Sequence, residues 1–334
     1  MRKFIVILIL FLGVALVILS FGELKTIVKT LQKANLWFLL LAFLLQISWF
    51  VISGFTFNSI YHLLGLKESI QKLTLLAAAT NFVNVVAPSA GMGGVVVFID
   101  DANRRGYSTG KATVAGALYI LFDYVAFLGV LTLGLIVLVR RGNLNPSEII
   151  ASIIMFAIAI GLAFFLYLGA LSADKLGKAL AWMARLINRI ARPFIHHEYL
   201  NEARSYTFAH EMAESLSSLP KRWQSLIYPL LWSIANKALI MAILVASFLS
   251  FDVPFSAGTI IGGFSISYLF LVVSPTPSGI GIVEGVMALA LDSLNVEWSQ
   301  AVVITLTYRA ITFWVPFGVG ALVFRSLHMN VEDE

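Results

Sequence analysis

The sequence predicts an all-α, polytopic integral membrane bundle, with about six crossing helices plus two Pro/Gly-broken re-entrant hairpins arranged as an inverted repeat. Three observations lead there. Of the 334 residues, 59% are hydrophobic and only 12% charged, about half the charged share of a soluble domain, and mean hydropathy is +0.90. Apolar runs long enough to cross ~30 Å of hydrocarbon recur along the whole chain. Two further apolar regions are interrupted midway by matching Pro and Gly clusters. In lipid each run must be helical, because no partner exists there for an open backbone N–H or C=O.

Arg2-Lys3 and the apolar run from Phe4 have the outline of a signal peptide. No small-x-small cleavage site follows Ser20, so 4–21 reads as a retained first helix. Segment 22–35 sets Leu24, Ile27, Val28 and Leu31 against Lys25, Lys29 and Lys33. That is an interfacial helix whose lysines either snorkel or gather lipid phosphates. Clean spans follow at 36–57, 115–139, 149–170, 227–250 and 300–325. Between them lies a polar connector, 174–226, too short and too amphipathic for a separate enzyme domain. Its Leu176, Leu180, Met183, Ile187 and Ile190 recur at helical spacing, while Lys178, Arg185, Arg189 and Arg192 take another face. This reads as a helix on an anionic cytoplasmic leaflet. The whole chain, 1–334, reads as one transmembrane domain.

The broken regions are 73–99 and 256–291. The first break contains Pro88, Ser89, Gly91, Gly93 and Gly94; the second contains Ser274, Pro275, Thr276, Pro277, Ser278, Gly279 and Gly281. Both run Val-Val-small-Pro-hydroxyl and then Gly-x-Gly. Pro removes a ladder hydrogen bond, and Gly removes the side chain that would restrain the turn. Irregular backbone at membrane depth persists only inside protein or beside a water-filled cavity. Paired interrupted segments therefore point to a binding site between broken helices, with the glycines permitting gating. Two ordinary Pro-kinked spans are the simpler alternative, and eight full crossings would place the termini identically.

With the N-terminus cytoplasmic and each hairpin returning to its own side, about 16 basic residues fall inside and about 5 outside, as the positive-inside rule asks. The hairpins then enter from opposite faces, as an inverted repeat requires, and both termini are cytoplasmic in the cell membrane.

Four charges sit at span depth: Asp123, Lys237, Glu284 and Arg309, the last beside Tyr308. Each costs several kcal/mol there unless paired or hydrated. They form either a substrate site or two buried ion pairs joining helices. Arg suits phosphate because its planar fork binds bidentately. Asn81 and Asn84 precede the first break by about one turn, and Ser274, Thr276 and Ser278 line the second. Helices starting near Gly94 and Gly281 would direct N–H groups towards an anion.

Other chemistries find no foothold. Cysteine is absent, so no disulfide, Cys-zinc or thiol site arises. Gly279-x-Gly281 with Gly285 lacks the strand and spacing of a dinucleotide fingerprint, and no P-loop lysine occurs. His196-His197-Glu198 lacks HExxH spacing, and no Ser/His/Asp set is recognisable. We expect no cofactor, metal, catalytic group or nucleic-acid partner; the basic balance of +5 reads as cytoplasmic-side Lys and Arg. Asp100-Asp101 before Arg104-Arg105 either binds a metal-diphosphate or caps the hairpin end.

The run Pro275-x-Pro277-Ser278-Gly279-Ile280-Gly281-x-x-Glu284, followed by Tyr308-Arg309, resembles the lysylphosphatidylglycerol synthase transmembrane region, or flippase-like domain, family. The first break and Arg104-Arg105 also fit. The family's Pro-Gly-Gly is Pro277-Ser278-Gly279 here, a small-for-small departure. The resemblance implies lipid handling without the aminoacyltransferase domain of the two-part synthases. It matches Glu284 and Arg309 to the family's intramembrane acid and arginine. The expected activity is a flippase or scramblase for an aminoacylated or other phospholipid, or a polyprenyl-linked lipid. Arg309, Glu284, Lys237, Asp123, Tyr308, Asn84, Ser274 and Thr276 would contact the substrate. The alternatives are a membrane-embedded lipid- or glycosyl-transferase, or a partner subunit of a separate synthase or glycosyltransferase.

Overall fold

The computed structural model describes residues 32–86, 94–191, 202–219 and 223–329. The expected helix over 4–21, most of the Lys stripe, Pro88, Gly91, Gly93, Arg192 and the His196-His197 pair lie outside these. Every regular element described is helical. The elements are α1 (Leu36–Leu63), α2 (Ile70–Val86), α3 (Val95–Arg104), α4 (Thr109–Arg141), α5 (Pro146–Leu171), α6 (Ala173–Ala191), α7 (Glu202–Ser217), α8 (Ile227–Ser250), α9 (Ala257–Val273), α10 (Ile282–Ser293), α11 (Trp298–Arg309) and α12 (Val315–Met329). Among the described residues, five helical stretches are long and apolar enough to cross a bilayer, at Leu36–Leu63, Thr109–Arg141, Pro146–Leu171, Gln224–Ser250 and Trp298–Leu327. The protein is an integral membrane helical bundle. Its outward faces carry Leu36, Leu133, Ile160, Phe164 and Leu322, side chains that suit acyl chains and not water.

Several spans run longer than their hydrophobic cores because caps extend them. The Ser108 hydroxyl accepts from Lys111 N–H at the start of α4, and Gly142 ends that helix in the left-handed region at φ 67°, where glycine has no Cβ to clash. Asn145 and Glu148 close a capping box ahead of α5.

The first broken region is α2–α3, a hairpin whose two ends lie at one level. Lys72 pairs with Asp101 at 2.7 Å and Arg105 pairs with Glu68. Tyr107 donates to the Lys67 carbonyl at 3.4 Å. Those residues define a basic end of the bundle. Helix α2 is gripped on both sides by glycines. A Cβ on Gly54 would meet Thr74 Oγ1 at 2.3 Å, and one on Gly320 would meet the Ala78 carbonyl at 2.5 Å. Near the tip, Gly94 N–H donates to Asn84 Oδ1 at 2.6 Å, and Thr80 Oγ1 donates to the Gly94 carbonyl at 3.2 Å.

The second broken region, α9–α10, is a hairpin anchored at the opposite end. One side chain holds both of its ends: Arg141 donates through Nη1 to the Leu294 carbonyl and through Nη2 to Ser256 Oγ, each at 3.0 Å. Asn143 adds a hydrogen bond to the Ser293 carbonyl. Asn35 N–H donates to the Ser250 carbonyl at 2.8 Å, which puts the start of α1 and the end of α8 at this end too.

The polar connector resolves into α6 and α7, packed on each other and on α5, with α7 also on the basic end of α4. Gly110 N–H donates to Glu211 Oε2 at 3.1 Å. The apolar spacing expected of one surface helix is divided: Leu176, Ala181 and Ala184 are buried, while Trp182, Leu186 and Ile187 stay exposed.

Candidate functional site

The four charges at span depth pair off. Lys237 on α8 reaches Asp123 Oδ1 on α4 at 2.6 Å. Tyr268 on α9 closes the set: its hydroxyl donates to Asp123 Oδ2 at 2.7 Å and accepts from Lys237 Nζ at 2.5 Å. Lys237 is 2% exposed. Such a charge is tolerated only because its partners replace water.

Arg309, also buried, ends α11. Its Nε donates to Glu284 Oε1 at 2.5 Å, its Nη2 donates to the Ser278 carbonyl at 3.1 Å, and its guanidinium lies 4.6 Å from the Phe313 ring centroid. The other Glu284 oxygen accepts from Gly281 N–H at 2.7 Å, closing the first turn of α10. Arg309 thereby ties the last span to the second break. A wide turn follows at once, over Ala310–Trp314, with Val315 N–H bonded to the Ala310 carbonyl. Pro316 next in line has no N–H to continue a regular ladder, and wide turns of this kind often mark functional positions.

The second break is built as its residues suggest. Ser274 and Thr276 hydroxyls meet at 2.9 Å, and Thr276 Oγ1 donates to the Ile280 carbonyl at 3.1 Å. Gly279 and Gly281 take φ of 71° and 78°, and Ser278 takes 46°. A serine in the left-handed region costs roughly 1–2 kcal/mol. The bond from Arg309 to its carbonyl holds it there.

The C-terminal half of α2 and the second break meet at one cavity of about 220 Å³. Thr80, Asn81 and Asn84 line it from α2, and Ser274, Thr276 and Ser278 from the second break. Asp123, Tyr268, Tyr308 and Arg309 complete the charged and phenolic wall. Of the residues expected at a site, the structure brings together on this wall Arg309, Asp123, Tyr308, Asn84, Ser274 and Thr276. Glu284 and Lys237 stand directly behind it through their partners. The first N–H groups at Gly94 and Gly281 are both taken by side chains of the protein itself, Asn84 and Glu284.

Sequence reasoning missed Tyr268, Gln46, Trp49 and Ser267, all on the cavity wall. Tyr268 and Ser267 lie in a strongly apolar helix, and only their polarity within that run marks them. Asp100 and Asp101, offered as a metal-diphosphate pair, are engaged at the hairpin's end: Arg104 pairs with Asp100 at 2.8 Å, and Asp101 with Lys72 and Arg105. Burial raises the Asp101 pKa above its ordinary value, with nearby Arg104 opposing that shift.

Residues 4–320 match the family described as the lysylphosphatidylglycerol synthase TM region. A UPF0104 membrane protein of Pyrococcus horikoshii is 28% identical, the alignment covering 97% of this chain and 96% of that protein. A UPF0104 membrane protein of Methanothermobacter thermautotrophicus is 24% identical, with 97% and 94% covered. Another, from Methanocaldococcus jannaschii, is 24% identical, with 96% and 93% covered.

Proposed function

The chain belongs to the lysylphosphatidylglycerol synthase TM region family, and from that premise we propose that it is a membrane lipid translocator, a flippase or scramblase for a phospholipid or lipid-linked substrate. One observation carries the reading: α2 and the second break, from hairpins anchored at opposite ends of the bundle, line one cavity whose wall carries Asn84, Asp123, Ser274, Thr276 and Arg309. In a bilayer the hairpins are re-entrant, one from each face, and the cavity lies between them at mid-depth. The headgroup passes through the cavity while the acyl chains stay in lipid.

Arg309 is the phosphate ligand. Its Nε and Nη2 are held by Glu284 and the Ser278 carbonyl, and a guanidinium has further N–H groups to offer. Glu284 is its resting counter-ion and carries the coupling to the hairpin: a phosphate that draws Arg309 away loosens the Gly281 turn that Glu284 caps. Asn84, Ser274, Thr276 and Tyr308 supply neutral contacts, and Gly279, Gly281, Pro275 and Pro277 are the flexing positions. The basic end faces the cytoplasm of a cell whose plasma membrane holds the protein. The ion-paired state of Asp100 and Asp101 weighs against a transferase built on them.

The test is lipid translocation in proteoliposomes, followed as loss of leaflet protection of labelled lipids. The Arg309→Ala and Glu284→Ala variants would be measured beside the parent, with folding checked. Rapid exchange that both variants lose is the expected result. No exchange of any phospholipid or lipid-linked substrate by folded protein, with or without an imposed gradient, would overturn the proposal.

A further inference from the structure

Among the described residues, every carboxylate on or behind the cavity wall is already committed. Asp123 takes Lys237 with one oxygen and the Tyr268 hydroxyl with the other. Glu284 takes Arg309 with one oxygen and Gly281 N–H with the other. A substrate ammonium entering here would find no free negative charge, and an unpaired cation at this depth is strongly disfavoured.

What the wall has to spare is uncharged. Gln46 is 2% exposed and Ser267 3% exposed, yet both line the cavity. Neither side chain has a hydrogen-bond partner among the described residues. The Trp49 indole N–H, on the same wall, is likewise unpartnered. Buried polar groups of folded proteins are nearly always paired, so several unpaired ones on one cavity point to a ligand that pairs them. An amide, a hydroxyl and an indole N–H together both donate and accept, which is the complement of hydroxyl groups. Trp49 and Tyr119 also bring aromatic rings to this wall.

We infer that the cavity is a binding site for a phosphodiester lipid whose headgroup is otherwise uncharged and rich in hydroxyls, of the glycerol or sugar class, and that it rejects headgroups bearing an ammonium. This deepens the translocator reading and rests on it. Gln46, Ser267 and Trp49 are the specificity-determining side chains, and Arg309 serves the phosphate that all such lipids share.

The full chain would be reconstituted into vesicles containing phosphatidylglycerol or its lysyl ester. Periodate oxidation of the free diol reports the first lipid, and an impermeant amine reagent reports the second. We expect phosphatidylglycerol to cross about tenfold faster or more, well within what a site that hydrogen-bonds substrate hydroxyls can discriminate. Gln46→Leu should slow phosphatidylglycerol. Gln46→Glu, which keeps the shape and adds an uncommitted carboxylate, should move the ratio towards the lysyl ester by about tenfold. Equal or faster movement of the lysyl ester in the parent protein, or a ratio untouched by Gln46→Glu, would overturn the inference while leaving a translocator in place. If neither lipid moves, the translocator reading is decided by the wider range of phospholipids and lipid-linked substrates. Binding in detergent, read from Trp fluorescence, then decides the inference. Phosphatidylglycerol bound in preference to the lysyl ester supports it, and equal binding overturns it.

Discussion

Asp123, Lys237 and Tyr268 form a closed set in which each member satisfies the other two. Removing one member of a buried pair strands the other, at about 3–5 kcal/mol, whereas removing both is often neutral. Lys237→Met should therefore lower the unfolding temperature in detergent sharply, and the Lys237→Met, Asp123→Leu double variant should recover most of it. A single variant that melts with the parent would mean that this pair does not hold α4 to α8. The sequence already marks these residues, because a charge in an apolar run stands out whatever the fold. It does not say which acid meets which base, because that depends on helix order in space. Tyr268 is less legible still, since a phenol raises no comparable alarm in an apolar helix. Gln46 and Ser267 matter for what they lack, and a missing partner cannot be seen before the chain is folded.

At the level of elements, the breaks were legible because Pro and Gly act locally and the same pattern occurs twice. Helix ends were less so, since caps such as Ser108, Gly142 and the Asn145–Glu148 box carry helices past their apolar cores. The spacing in the connector predicts one surface helix; the structure has two, α6 and α7, and α6 buries Leu176 and Ala184 against the protein while Trp182 is left outward. The absence of native cysteine gives a direct test of hairpin placement. Cysteines introduced singly by Lys67→Cys and Asn103→Cys should both react with an impermeant thiol reagent from one face of sealed vesicles. Those introduced by Ala257→Cys and Asp292→Cys should both react from the other. Two ends of one hairpin labelling from opposite faces would make that hairpin a full crossing.

For the whole molecule, the organising feature is inversion: one hairpin is tied at the basic end by Lys72–Asp101 and Arg105–Glu68, the other at the far end by Arg141. A single guanidinium clasps both ends of α9–α10, so on the proposed function any movement of that hairpin pivots on Arg141. The fixed charges around the cavity, Asp123 with Lys237 and Glu284 with Arg309, sum to zero. A unit charge crossing 100 mV is worth about 2.3 kcal/mol, so a tip movement that keeps Glu284 with Arg309, as their ion pair holds them here, does no net electrical work of its own. In vesicles held at a potassium diffusion potential, the rate for a lipid with no net charge should be the same at either polarity. The rate for an anionic lipid should respond only as its own charge dictates, and a severalfold polarity effect on the uncharged lipid would reveal a gating charge. On the proposed function, a protein whose intramembrane charges move only as pairs is electrically silent: the membrane voltage would push the cargo and have no handle on the machine.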